Sequence, residues 1–492
     1  MRISRSHPEL SRPKGGLHFR ELSRRRALAL VAVVLGVATL GLLFANDQPG
    51  SKTARHVLVI SVDGMGSAYY TQPPAALRIP NIRKLMEHGS FADSVEGVYP
   101  TLTYPSHTTL VTGRLPAEHG IYTNLSSRQA GKNPDDWFWL ANAIKAPTLW
   151  DEARAHHLTT ASVAWPVTVG ANIDWDVPEI WDPAKGEVPD AMYVARHMDV
   201  TTALELGMAL GLPSPGSEDD ENRVRLASYF LKRHRPNLTL VHLEGLDVAQ
   251  HATGPGSVAA VATLSREDLH IGELLDAVKT AGLETSTDVF VVSDHGFLPI
   301  MRDIRPNVLL AKAGLLTADS EGNVTGGKIA TVANGGSFFI YWPQGTDFSA
   351  AVTSALKPIV DQGLAYAVFD QPSLQQMGAD PEARLALEAP DGAEFTGRAA
   401  GALVEPLTAL QGMHGFLPSR PGLQSAFIAC GPDIRGGVDV GHIQMTEIGP
   451  TILKAMGIQD PAFGDRPPLE AVFKSQHDVL ASRPSPAAAS GH

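Results

Sequence analysis

The chain has 492 residues, with 52 Asp+Glu against 40 Lys+Arg, a formal net charge of −12, 43% hydrophobic and 19% charged residues, and one cysteine, Cys430. Such a composition excludes a disordered chain, and a lone cysteine excludes a disulfide scaffold or a thiolate zinc ribbon. The acidic balance excludes a protein that coats nucleic acid through basic surface.

The charge is unevenly spread. Residues 1–26 hold eight Lys/Arg and two acidic residues, a net of +6, which leaves −18 for the rest. Residues 27–45, ALALVAVVLGVATLGLLFA, carry no charge and give way to polar NDQPGSKTAR. A basic head, an apolar run and a polar exit predict an export signal. The run is also long enough to span a bilayer, so it is either cleaved or kept as an N-terminal membrane anchor with Arg24, Arg25 and Arg26 inside. In both cases the body lies in a periplasmic or other extracytoplasmic space. Residues 1–50 therefore stand apart from the fold.

In the body, apolar runs alternate with helical patterns, which predicts an α/β fold on a mainly parallel sheet. Residues 56–62 read as a buried strand, 79–88 as a helix, and 90–98 as a second strand. Helices are predicted at 103–113 and 148–156, and a short strand at 162–165. A helix-rich region runs to about Arg235. Strands at 238–243 and 289–292 flank a long helix at 258–281. Residues 303–410 change character, with short apolar runs and frequent Gly and Pro, and read as an inserted α+β subdomain. A core strand returns at 426–430, followed by a helix at 446–456. The catalytic core is thus 51–302 plus 411–474, and 475–492 reads as a disordered tail.

The chemistry-bearing residues sit just after predicted strands, where open α/β sheets place their sites. Asp63 follows the first strand. Thr103 opens the second predicted helix, whose N-terminus offers free N–H groups and a partial positive charge suited to an anion. Asp247 and His251, four apart, share one side of a helical turn. Asp294 and His295 end another strand, and His414 stands in a late His-Gly pair. Taken singly, each has an ordinary structural reading as a turn or cap. Together, three Asp and three His without thiolate suit zinc better than manganese or magnesium. Two metals about 3.5–4 Å apart clamp the attacking and leaving oxygens of an in-line displacement.

This ordered set resembles the alkaline phosphatase superfamily, and within it the nucleotide pyrophosphatase/phosphodiesterase family, over residues 55–300 and 410–458. The resemblance implies a three-layer sandwich with a mainly parallel central sheet and two Zn(2+). One zinc would be held by Asp247, His251 and His414, the other by Asp63, Asp294 and His295 with the Thr103 oxygen. Thr103 matches the family's nucleophile, which forms a covalent phospho-threonine. Asn124 matches the residue that hydrogen-bonds a phosphoryl oxygen, and Tyr104 an aromatic that flanks the leaving group. Where the family has Asn-His after the following proline, this chain has Ser106-His107. Monoesterase relatives with a threonine nucleophile tend to carry a Lys-x-Arg pair after the third core strand, but residues 162–170 hold no Lys or Arg. The resemblance therefore points to small-molecule phosphodiesters or pyrophosphates. The alternatives are a phosphomonoesterase or phosphonoacetate-type hydrolase of the same superfamily and, from another class, an inactive metal-binding scaffold.

Overall fold

The structure, a computed structural model, describes residues 55–126, 137–180, 191–210 and 220–475. The predicted export segment or anchor and the tail beyond 475 lie outside the described residues. Among those described, no helix is long and apolar enough to cross a membrane.

The first strand, β1 (His56–Val62), reads HVLVISV and is buried along its whole length. Such a run belongs in the middle of a parallel sheet, covered on both faces. The chain then forms α1 (Pro80–His88), β2 (Ser90–Phe91), α2 (Thr103–Thr112), β3 (Thr160–Val163), β4 (Trp175–Val177), α3 (Asp220–Arg233) and β5 (Leu238–Leu243). Helices α4 (Gly245–Thr253) and α5 (Val258–Thr280) lead to β6 (Thr287–Val292). After an insertion containing β7 (Leu298–Ile304), β8 (Gly392–Phe395) and β9 (Val404–Met413), the core resumes with β10 (Phe427–Cys430), β11 (Val438–Asp439) and α6 (Ile448–Ala455).

The central sheet has eight strands in the order β11-β2-β10-β6-β1-β5-β3-β4. β1 pairs in parallel with β5 and β6, and β3 with β5 and β4. β10 runs antiparallel to both its neighbours, so it alone is reversed. Alternate β1 residues feed opposite layers, as strand geometry requires. Leu58, Ile60 and Val62 pack with Phe230 of α3 and Leu264 and Ile271 of α5. Val57 and Val59 pack with Leu110 of α2 and Ile448 and Ile452 of α6. The result is the three-layer α/β sandwich with a mainly parallel sheet that the sequence predicts.

Two boundaries differ from the sequence reading. The strand predicted at 90–98 splits, because Ser94–Glu96 leaves the central sheet to pair with His442–Gln444. Strands β7 and β9 run across the expected boundaries at 302/303 and 410/411. β7 is flanked by β8 and β9 in a separate three-stranded sheet, so a boundary at 302/303 cuts through β7. A four-stranded sheet adds Ala330–Ala333, Ser337–Tyr341, Ala367–Asp370 and Leu385–Glu388. The insertion has its own core, with Phe338, Ile340, Leu356, Phe395 and Phe416 buried together.

Candidate metal centre

Six predicted ligands converge at the C-terminal edge of the central sheet. Asp63 follows β1, and Asp294 and His295 follow β6. Asp247 lies in the first turn of α4, which starts two residues after β5, and His251 lies one turn on. His414 directly follows β9, the last strand of the insertion. Backbone geometry makes the approach possible. Gly64 adopts φ +72° and donates its N–H to Asp294 Oδ1 at 3.1 Å. Gly415 adopts φ +84°, and a Cβ there would lie 1.8 Å from the Asn334 carbonyl oxygen. Only glycine tolerates such positions without strain.

The side chains fall into two groups that share a member. Asp247, His251 and His414 bring ligand atoms within 4.8 Å of one another, and so do Asp63, Asp247 and His295. His295 Nε2 is 3.5 Å from Asp63 Oδ1 and 3.1 Å from Asp294 Oδ2. His251 Nε2 lies 3.4 Å from Asp247 Oδ2, and His414 Nε2 lies 3.8 Å from Asp247 Oδ1. The geometry thus puts Asp247 between the groups, whereas the sequence reading gave it to one.

Four atoms facing this space, Asp63 Oδ1, Asp247 Oδ1, Asp294 Oδ2 and His295 Nε2, are buried and make no hydrogen bond. Buried polar atoms are normally paired, so their convergence calls for a partner. Burial, then the Asp294 charge, pushes the Asp63 carboxyl well above its ordinary range. Burial, then the charges of Asp63 and Asp294, does the same to Asp247. Burial holds His295 and His414 well below the usual imidazole value and His251 down to about 4. Crowded carboxylates beside neutral imidazoles form a donor set that fits a divalent cation.

The second ring nitrogens of His251 and His414 are held in the orientation ligation needs. His414 Nδ1 is 2.9 Å from the Thr101 carbonyl and His251 Nδ1 is 3.1 Å from the Gly412 carbonyl. Donation from Nδ1 leaves each Nε2 with its lone pair toward the centre. Asp294 Oδ1 is likewise occupied, by Gly64 N–H and its neighbour's N–H at 2.9 Å, which frees Oδ2.

Thr103 is the first residue of α2, after Leu102, which has no side-chain oxygen to cap the helix. Asn124 reaches across instead, its Oδ1 accepting the Tyr104 N–H at 3.0 Å. His107 anchors the same turn: Nδ1 lies 2.8 Å from the Thr103 carbonyl, Nε2 is 2.9 Å from Ser61 Oγ, and Nδ1 is 3.8 Å from Asp294 Oδ2. His107 thus links the Thr103 turn to Asp294, and Asn124 holds the N–H of the next residue. The Tyr104 side chain is buried against Trp137, and its hydroxyl donates to Glu179 Oε1 at 3.0 Å. The phenol is therefore committed to Glu179.

Two residues escaped the sequence reading. His242, on β5, places Nε2 2.9 Å from Asp63 Oδ2 and Nδ1 2.8 Å from Glu179 Oε2. A histidine inside the apolar strand LTLVHL is a signal that could have found it. Nothing local marks Glu179.

A family model described as type I phosphodiesterase / nucleotide pyrophosphatase matches residues 57–380. Mouse ectonucleotide pyrophosphatase/phosphodiesterase family member 1 is 24% identical over 430 residues, covering 84% of this chain and 42% of the relative. Venom phosphodiesterase 2 of Crotalus adamanteus is 26% identical over 271 residues, covering 53% of this chain and 29% of that protein. The chain spans less than half the length of these curated relatives. Among solved structures, an inactive variant of murine ectonucleotide pyrophosphatase/phosphodiesterase 5 in complex with AMP aligns with a TM-score of 0.61 at 20% identity, over 82% of this chain and 96% of that one. The human counterpart aligns with a TM-score of 0.59 at 19% identity, over 84% and 97%. The fold is shared with these structures, and with two thirds of its length matched by the family model, the chain belongs to the type I phosphodiesterase / nucleotide pyrophosphatase family of the alkaline phosphatase superfamily.

Proposed function

We propose that the chain hydrolyses phosphodiester or pyrophosphate bonds of small molecules, with Thr103 as nucleophile and two zinc ions as cofactors. The observation that carries this is the convergence of four buried, unbonded ligand atoms beside the helix start that bears Thr103. Asp247, His251 and His414 would hold one ion. Asp63, Asp294 and His295 would hold the other, with Asp247 adjacent to both. Bound there, zinc supplies Lewis acidity that favours ionisation of a hydroxyl and stabilises negative oxygens.

The chain's own part is positioning and bond exchange. The Thr103 oxygen attacks phosphorus in line, a phospho-threonine forms, and the bond to the leaving oxygen breaks; water then cleaves the intermediate. The Asn124 amide has spent its oxygen on Tyr104 N–H, so its Nδ2 remains to donate to a phosphoryl oxygen. The stretch 160–170 brings no Lys or Arg to offset the second charge of a monoester, which favours singly charged diesters. Family membership supports the same substrate class. We further propose that the protein is exported, with residues 27–45 as signal or membrane anchor.

Rates on bis-(p-nitrophenyl) phosphate and p-nitrophenyl phosphate, measured at known zinc content, test the substrate class. The diester should be preferred. A large monoester preference overturns that assignment, and a zinc-loaded protein idle on every phosphate ester overturns the enzyme reading.

A further inference from the structure

Outside the ligand set, His242 is a buried group bonded at both ring nitrogens. Here both ring nitrogens face carboxylates: Nε2 meets Asp63 Oδ2 at 2.9 Å, and Nδ1 meets Glu179 Oε2 at 2.8 Å, with the Ala164 carbonyl at 3.1 Å. The second oxygen of each carboxylate leads onward. Asp63 Oδ1 has no hydrogen bond and faces His295. Glu179 Oε1 accepts from the Tyr104 hydroxyl, and Tyr104 follows Thr103 directly and has its N–H on Asn124.

The surroundings fix this chain in place. His242 sits opposite Ser61 in the β1/β5 register, Arg223 donates to its carbonyl oxygen at 3.0 Å, and the His107 ring lies 4.4 Å away. Ala164 holds a positive φ of 54° in the turn after β3, a strained conformation for a residue with a Cβ. That turn presents its carbonyl to His242.

We infer that His242 and Glu179 are positioning residues for the proposed reaction: His242 occupies Asp63 Oδ2 so that Asp63 ligates through Oδ1 alone, and Glu179 ties that ligand to the helix start carrying Thr103. The inference rests on the two-metal reading. It makes the metal ligand and the nucleophile parts of one rigid unit, with Tyr104 as the link rather than as a substrate contact.

The test is metal binding rather than turnover. Metal-free protein is titrated with Co(2+), following the visible absorption bands, alongside His242→Gln, His242→Asn and His242→Leu. The Gln amide nitrogen can reach the position of Nε2 and keep the bond to Asp63. The Asn amide reaches only the position of Nδ1 and loses it. Affinity for one of the two ions should fall by about 10- to 100-fold in His242→Leu and His242→Asn and recover in His242→Gln, while the other ion binds as in wild type. A structural role alone would not separate Gln from Asn, so equal affinities in those two variants overturn the inference even if the Leu variant fails to fold. Wild-type protein that binds fewer than two Co(2+) overturns the two-metal reading and the inference together. Two ions in wild type with an unchanged His242→Leu titration overturn the inference alone.

Discussion

His295 and His414 stack face to face, their ring centroids 3.8 Å apart and their planes 13° apart. One ring follows a core strand and the other closes the insertion, so the insertion's exit completes the centre. His414 also lies 3.1 Å, Nε2 to Nε2, from His251. Two imidazoles at that separation with neutral rings suit a shared cation. His414→Ala should therefore cost one zinc, at the Asp247 and His251 end, and leave the other bound. Elemental analysis after dialysis checks this. Two full equivalents in the variant would remove His414 from the ligand set.

Thr103→Ala should abolish turnover and leave both metals in place. A nucleophile that forms a covalent intermediate has no substitute nearby, and removing such a group from an enzyme costs at least about a thousandfold in rate. The Thr103 carbonyl already serves His107, and loss of the hydroxyl does not disturb that bond. Rates near wild type, at matched zinc content, would exclude Thr103 as nucleophile.

Asn124 has two separable tasks. Its Oδ1 caps the Tyr104 N–H, and its Nδ2 is the proposed phosphoryl donor. Asn124→Asp keeps the acceptor and loses the donor, whereas Asn124→Ala loses both. Both variants should lose about 100- to 1000-fold in kcat. Only the Ala variant should also lose about 0.5–2 kcal/mol of stability. Steady-state rates and urea melts of the two proteins check the split. A fully active Asp variant would confine Asn124 to capping.

The core was legible because buried parallel strands are continuous apolar runs. β1 is predicted to the residue, and so is β5 despite its one histidine. Asp63, Asp294 and His295 drew attention for a related reason: they stand just past such runs. What was not legible depends on long-range pairing. β7, with the sequence LPIMRDI, has no clean alternation, and its partners β8 and β9 lie about a hundred residues on, so no local pattern marks it as a strand. Glu179 follows the short edge strand β4, and no local pattern says that its carboxylate meets His242. Without that contact, Tyr104 read as a free aromatic beside the nucleophile; with it, the hydroxyl is already engaged.

Asp176 gives a stability test away from the metal centre. It lies on β4 opposite Ser162 of β3, with Oδ1 buried. Burial pushes its carboxyl up to about 8, and the Ser162 and Thr168 hydroxyls pull it back only in part. In the unfolded chain an aspartate titrates near about 3.9. The folded value is the higher one, so the folded state keeps its proton while the unfolded state sheds it. The group's stabilising contribution is full below about pH 4 and declines as pH rises toward about 8, by at most about 1.4 kcal/mol per pH unit. Asp176→Asn removes the titration and retains the shape. The variant should therefore gain on wild type as pH rises, and the gap in urea midpoint should be wider at pH 8 than at pH 5, at fixed zinc content. Equal gaps at the two pH values would place the Asp176 carboxyl in the ordinary range and show that the pocket between β3 and β4 admits its charge.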